Sequence, residues 1–237
     1  MVKNHLKRLT IPKSWGIGKK KTKWIARPSP GPHSLKESMT LNLLLKEFLQ
    51  YAKNKTEVKK ILTDKQILID NKVRKEQHFP VGIMDVISIP KTNEDFRILL
   101  SERGKFKLQK ISKEEAKIKP VKVIGKTLLK GNKIQLNLSD GKNILISKDN
   151  FKTGDCVVLD LEKNNIKEHI AFGKGATVFI THGKYIGKTG VINSIINENN
   201  LSPTKIIFKT DDKDVETLKK YAYVIGKNKP IITLLEK

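Results

Sequence analysis

TLNLLLKEFLQYAKNKTEVKKILTDKQILIDNKVRKEQHFPVGIMDVISI, running from Thr40 to Ile89, is the stretch whose periodicities decide the fold. Leu41, Leu44, Leu45, Phe48 and Ala52 recur at helical spacing, so one apolar stripe faces a core while Lys46, Glu47 and Gln50 face outward. A second helix follows, capped by Asn54 or Thr56, with Val58, Ile61 and Leu62 on its apolar side and Glu57, Lys59 and Lys60 opposite. The period then changes to two. Ile67, Ile69 and Val73 flank a turn at Asp70 and Asn71, residue types that tolerate a left-handed backbone, and Pro80 and Gly82 lead into the strand MDVISI. Two short helices beside a tight hairpin, with lysines on the outer surface, suit the shape of folded RNA.

Charge points the same way. The 237 residues hold 48 Lys and Arg against 24 Asp and Glu, a formal net charge of +24, which is too large for an ordinary cytosolic enzyme and implies a polyanionic partner. Only five of the basic residues are arginines, so most contacts are expected to be point charges, which suits shape recognition over sequence readout. The excess is concentrated at one end. Residues 1–36 carry 10 basic residues and no acidic one, with prolines at 12, 28, 30 and 32 and no sustained period. Such a segment cannot bury enough surface to fold alone and is expected to order on its partner. Lys7, Arg8, Lys13, Lys19, Lys20, Lys21, Lys23 and Arg27 are its phosphate-contact candidates. Trp15 and Trp24 lie in the same arm, and Trp15 is the candidate for stacking on a base or sugar. The alternative is that the rings dock the arm onto its own domain.

At 38% hydrophobic residues, broken into short runs by glycine and lysine, the composition predicts several small domains. No run approaches the roughly 18 apolar residues of a membrane span, and the N-terminus lacks the apolar core of a secretory signal, so a soluble intracellular protein is expected. The single cysteine, Cys156, excludes internal disulfides and a cysteine-based zinc cluster, and its place in the strand DCVVLDL predicts a small core residue.

Beyond Ile89 the signal is mostly β. Phe96 to Lys119 begins as strand and becomes the short amphipathic run KISKEEAKIK, in which the adjacent Glu114 and Glu115 read as a solvated face and not as a catalytic pair. Between Val121 and Ile170, turns at Gly131 and Asn132, at Ser139, Asp140 and Gly141, and at Lys163, Asn164 and Asn165 separate strands into three hairpins. These predict a small antiparallel barrel or sandwich. ATVFITHGKYIGKTGVI follows from Ala176, a glycine-rich hairpin in which Gly183, Gly187 and Gly190 turn the backbone and Lys184 and Lys188 ride on the loop. Gly187, Lys188 and Thr189 feed a strand and not a helix, so the match to a phosphate-binding P-loop fails. KIIFKT and YAYVIGKNKPIITL are expected to complete the sheet, and Asp211, Asp212 and Asp214 to form an exposed turn, not a metal site.

Five stretches, in order along the whole chain, resemble the archaeal and eukaryotic type of small-subunit ribosomal protein four, the S4e family. They are HLKRLTIPKSW from His5, ARPSPGPHSLK from Ala26, VKKILTDKQILIDNKVRKEQHFPVGIMDVI from Val58, LSDGKNILI from Leu138, and HGKYIGKTGVI from His182, which is similar to the KOW motif. The resemblance implies an α+β multidomain protein. Its parts would be a basic N-terminal extension over 1–39, an S4-like RNA-binding domain of two helices and a small sheet over 40–95, a central antiparallel β domain over 96–172, and a KOW SH3-like barrel over 173–237. It implies a cytoplasmic structural constituent of the small ribosomal subunit that binds small-subunit rRNA and neighbouring ribosomal proteins, with no cofactor, membrane, small-molecule substrate or homo-oligomer. Carried onto this sequence, the family's arm falls on Lys7, Arg8, Lys13 and Arg27, the RNA face of its helical domain on Lys59, Lys60, Lys72, Arg74 and Lys75, and its KOW loop on Gly183, Lys184, Gly187 and Lys188. Glycine is usual in the family where Lys65 and Asn71 stand, so the turn after the second helix is expected to differ here. The absence of a longer tail after the barrel favours an archaeal source.

Two other functions compete with a ribosomal scaffold. An RNA-modifying enzyme such as a pseudouridine synthase carries the same helical domain, but residues 96–237 split into small β units, the five histidines lack ligand spacing, and no serine or cysteine sits beside a base. A KOW-bearing transcription or ribosome-assembly factor is the other, and the helical domain and proline-rich arm argue instead for folded RNA.

Overall fold

A Thr-capped turn begins the helical stretch. The computed structural model of the chain describes residues 5–18, 20, 22–131, 133–146, 149–196, 202–210 and 213–235. After β1 (Ser38–Thr40), the Thr40 hydroxyl accepts a hydrogen bond from the Leu43 N–H at 3.2 Å and starts α1 (Leu41–Leu43). Leu41, Leu44 and Leu45 are buried, as the spacing predicts. The helix does not run on to Ala52. It passes into a π turn over Leu44–Phe48, where the Leu49 N–H reaches the Leu44 carbonyl at 3.0 Å, and it stops before Gln50, whose φ of +56° is left-handed. Ala52 is buried from outside the helix.

In α2 (Lys55–Thr63) Val58 and Leu62 are buried and Lys59 and Lys60 exposed. The Glu57 carboxylate accepts from the N–H groups of Lys53 at 2.7 Å and Asn54 at 3.4 Å, satisfying donors that the first turn leaves orphaned. At its far end Lys65 adopts φ +56°, so the left-handed turn is kept despite the missing glycine, at a cost of about 1–2 kcal/mol. The hairpin of β2 (Leu68–Ile69) and β3 (Lys72–Val73) forms as read, with Asp70 and Asn71 at φ +49° and +59°. Then come β4 (Pro80–Gly82), a short strand that pairs antiparallel with β1, and β5 (Val86–Ile89), β6 (Glu94–Leu100) and β7 (Phe106–Ile111). The main sheet of this region has the order β3-β2-β5-β6-β7.

α3 (Lys113–Ala116) corrects one expectation. Glu114 is exposed, but Glu115 is buried, and its carboxylate accepts from the fully buried Arg97 at 2.7 Å while its carbonyl accepts a second guanidinium bond at 3.1 Å. The pair of glutamates is therefore not a solvated face: α3 turns its second carboxylate inward to meet an arginine on β6.

The basic extension is a second correction. Its described residues pack on their own unit. Leu6 and Trp15 are buried, the Ser29 N–H donates to the His78 carbonyl at 2.9 Å, and His33 Nε2 lies 2.9 Å from each carboxylate oxygen of Asp85. Two apolar anchors and these polar ties supply what the charge pattern alone lacks.

Chain packing gives two compact units, Met1–Leu99 with Lys105–Lys117, and Leu100–Gly104 with Ile118–Lys237. The second contains two antiparallel five-stranded sheets. The first joins β8 (Ile118–Leu129), β9 (Lys133–Leu138), β10 (Asn143–Ile146), β11 (Cys156–Asp160) and β12 (Ile166–Ile170) in the order β10-β9-β8-β11-β12. All three predicted hairpins are present, although Asn132 lies outside the described residues. Val121, Val123, Leu136, Leu138, Val157 and Leu159 form its core. Cys156 is buried as expected, and burial pushes its thiol well above the ordinary range. The second sheet joins β13 (Ala176–Ile180), β14 (Thr189–Ile196), β15 (Lys205–Lys209), β16 (Asp214–Leu218) and β17 (Ala222–Lys227) in the order β16-β15-β14-β13-β17. Asp214 begins β16 and accepts from the Asn193 amide at 3.0 Å, while Asp211 and Asp212 lie outside the described residues.

Lys122 on β8 ties the two sheets together. Its ammonium donates to the carbonyls of Lys220 at 2.9 Å and Ala222 at 2.8 Å, and the Tyr223 hydroxyl donates back to Pro120 O at 2.8 Å. Burial, with the nearby Lys219 charge, pushes Lys122 from 10.5 down to about 8. A lysine lowered on folding binds fewer protons in the folded than in the unfolded chain between these two values, so its contribution to stability rises with pH from about 8 to 10.5. Urea midpoints at pH 7.5, 9 and 10 are expected to show a gain on the order of 1–2 kcal/mol by pH 10 relative to Lys122→Met, in which this contribution is absent. Parallel profiles for the two proteins would show that the ammonium is solvated.

Candidate nucleic-acid interface

In the arm, residues 6–8 and 23–25 run side by side. The Arg8 N–H donates to Lys23 O at 3.0 Å, the Ile25 N–H donates to Leu6 O at 2.9 Å, and Lys7 and Trp24 form a bridge. Lys7, Lys13, Lys20 and Lys23 are exposed, whereas Lys19 and Lys21 lie outside the described residues. Arg8 is half-buried, and its guanidinium donates to the carbonyls of Gly18 and Ile17, closing the arm's own loop. Arg27 is half-buried too, with its carbonyl 2.9 Å from His78 Nδ1.

Trp15 is not the stacking residue. Its ring is fully buried and its indole N–H donates to Ser38 O at 2.7 Å, so the docking alternative holds for this ring and no face is free for a base. Trp24 is the ring the sequence reading passed over: it is 49% exposed, with Lys7 and Lys23 Nζ each 5.8 Å from a ring centroid. The only linear hint was the lysine directly before it.

In the helical stretch Lys59 and Lys60 lie on the outer face of α2, and Lys72 and Lys75 are exposed in and after β3. Arg74 between them is half-buried, its guanidinium 4.3 Å from the Phe79 ring centroid. A stacked guanidinium keeps a fixed plane. Arg27, through its backbone carbonyl at His78, and Arg74, through its side chain at Phe79, meet the same short stretch.

In the second unit the loop after β13 carries Gly183 at φ +88° and Gly187 at φ +78°. A Cβ on Gly187 would stand 2.4 Å from Ser101 O, so this glycine is demanded by a close backbone approach as well as by its φ. Lys184 is exposed, its Nζ 5.7 Å from the Tyr185 ring centroid, and Lys188 is half-buried. Beside this loop lies an open groove of about 350 Å³, lined by Gly183, Lys184, Tyr185, Lys205, Glu216, Thr217, Leu218 and Tyr221. Tyr221 was missed from sequence because the turn before β17 reaches the groove only in the folded unit, whereas Tyr185 lies within the quoted loop and was not singled out. Among the described residues there is no group of three or more His, Cys, Asp or Glu able to hold a metal ion, and no helix is long and apolar enough to cross a membrane.

Comparison with known proteins places the chain in a family. A small ribosomal subunit protein eS4 from Methanocella arvoryzae is 40% identical over 98% of this chain and 98% of its own length. The chain belongs to the S4e family of ribosomal proteins. The eS4 of Methanosphaera stadtmanae is 41% identical over 98% of this chain and 96% of its own length. A family model described as Ribosomal family S4e matches residues 92–166, and one described as the RS4NT (NUC023) domain matches residues 2–36. The crystal structure of 30S ribosomal protein S4e from Thermoplasma acidophilum superposes with a TM-score of 0.70 at 29% identity, over 81% of this chain and 96% of that one. The mixed α+β class expected from sequence is thus the class of an S4e fold, here mostly β with few helices. These two relatives are named as small ribosomal subunit proteins, not as enzymes.

Proposed function

We propose that the chain binds and stabilises small-subunit rRNA as a cytoplasmic structural constituent of the small ribosomal subunit, supporting translation beside neighbouring ribosomal proteins. In this reading residues 1–39 are a basic extension and 40–95 an S4-like RNA-binding domain. The central β domain expected over 96–172 is taken from Ile118, because β6 and β7 pair into the first unit's sheet, and 173–237 is read as a KOW SH3-like barrel whose 183–188 loop faces RNA. The observation that carries it is the arm, acid-free over residues 1–36, with Lys7, Lys13, Lys20 and Lys23 held exposed on a packed and hydrogen-bonded base. With the backbone already ordered, these lysines lose only side-chain freedom on meeting phosphates, and each phosphate neutralised releases counterions. Lys59, Lys60, Lys72, Arg74 and Lys75 extend the contact in the same unit, and Lys184 and Lys188 add a second one.

Sedimentation of a gentle lysate through sucrose tests the reading. The protein is expected to travel with the small subunit and to remain there after a high-salt wash. Release by the wash, or protein at the top of the gradient, would point instead to an assembly factor or a transcription-linked binder.

A further inference from the structure

We infer that Trp24 is a stacking platform for an unpaired RNA base, a refinement that rests on the reading of this chain as an rRNA binder. The protein has two tryptophans, and the fold treats them in opposite ways. Trp15 is sealed in the core, while Trp24 keeps 49% of its surface in solvent although it sits in a paired segment. Its position is set by bonds on both sides, from Arg8 N–H to Lys23 O and from Ile25 N–H to Leu6 O, so the ring is presented and not merely loose. His5 meets it edge-on with centroids 5.4 Å apart, which closes one side and leaves a restricted approach.

The surroundings select the ligand. Lys7 and Lys23 each bring an ammonium to 5.8 Å from a centroid of the ring, and residues 1–36 contain no carboxylate to oppose them. An aromatic face between two cations matches a nucleotide: the base stacks on the ring and the lysines move from the ring to the flanking phosphates. A paired base has no free face to offer, so the site takes single-stranded segments, bulges or loops. The lysines only donate and His5 adds a single imidazole, so the described groups at the ring cannot read the edge of a base in full, and the platform tolerates any sequence.

The test uses the full chain, a 12-nucleotide oligo(A) and a blunt RNA duplex of equal length. Acrylamide quenching separates the tryptophans, because the accessible emission comes from Trp24. Binding of oligo(A) is expected to quench that emission and to shield it from acrylamide, and the duplex is expected to do neither. Trp24→Ala is expected to weaken oligo(A) binding roughly tenfold or more with an unchanged circular dichroism spectrum, and Trp24→Phe to retain most of the affinity. Oligo(A) binding with unchanged accessible emission, and equal affinity for Trp24→Ala, would overturn the platform while leaving the RNA-binding reading intact. Failure of both RNAs to bind would instead overturn that reading, and the platform with it.

Discussion

Glu115→Ala is expected to destabilise the first unit by about 3–5 kcal/mol, read as a shift of its denaturation midpoint. The Arg97 side chain has no exposed surface and that of Glu115 only 10%, with nitrogen and oxygen 2.7 Å apart. Alanine keeps the backbone carbonyl that also receives the guanidinium but takes away the carboxylate 2.7 Å from it, so the buried guanidinium loses this ion pair. The neighbouring Glu114→Ala supplies the control, since an exposed position is expected to change stability by no more than about 0.5 kcal/mol. Arg97→Met combined with Glu115→Leu is expected to recover most of the loss, because removing both charges ends the desolvation cost along with the attraction. A cost under about 1 kcal/mol for Glu115→Ala would mean that water reaches the pair.

Reversing Lys59 and Lys60 together to glutamate is expected to weaken binding to small-subunit rRNA by on the order of tenfold to hundredfold near physiological salt, with an unchanged circular dichroism spectrum. Both lysines are exposed on α2, and that helix is held from its other side by the buried Val58 and Leu62 and at its start by the Glu57 carboxylate. The substitution therefore changes the field at the surface and leaves the packing alone. Its effect should shrink as salt is raised, since fewer counterions are released on binding. Loss of helical signal would show that the lysines pack structurally, and unchanged affinity would remove α2 from the interface. Deleting the arm is a poorer probe than its charge suggests, because the deletion also takes Trp15 and Leu6 out of the core.

The features legible in the chain were those written in neighbouring residues. Asp70 and Asn71 declare a left-handed hairpin turn by their type, the second helix declares its buried side by the spacing of Val58 and Leu62, and the three later hairpins declare themselves by turn residues between short apolar runs. The first helix was misread at its end because the apolar spacing continues to Ala52, while the π turn at Leu44–Phe48 and the left-handed Gln50 redirect the chain. Lys65 shows the reverse: backbone bonds from Lys65 N–H to Leu62 O and from Gln66 N–H to Ile61 O close a left-handed turn that its own side chain disfavours.

Charge, the run of small β units and the lysine-bearing face of α2 were determined by the sequence alone, since each depends only on residue type and on separations of a few positions. Tertiary structure decided which tryptophan is core and which is surface, which of two adjacent glutamates meets an arginine 18 residues away, and why Gly187 can carry no side chain against Ser101. The physical reason is the same in each case. Burial of a single side chain is set by what packs over it from distant parts of the chain, and local periodicity carries no record of those partners.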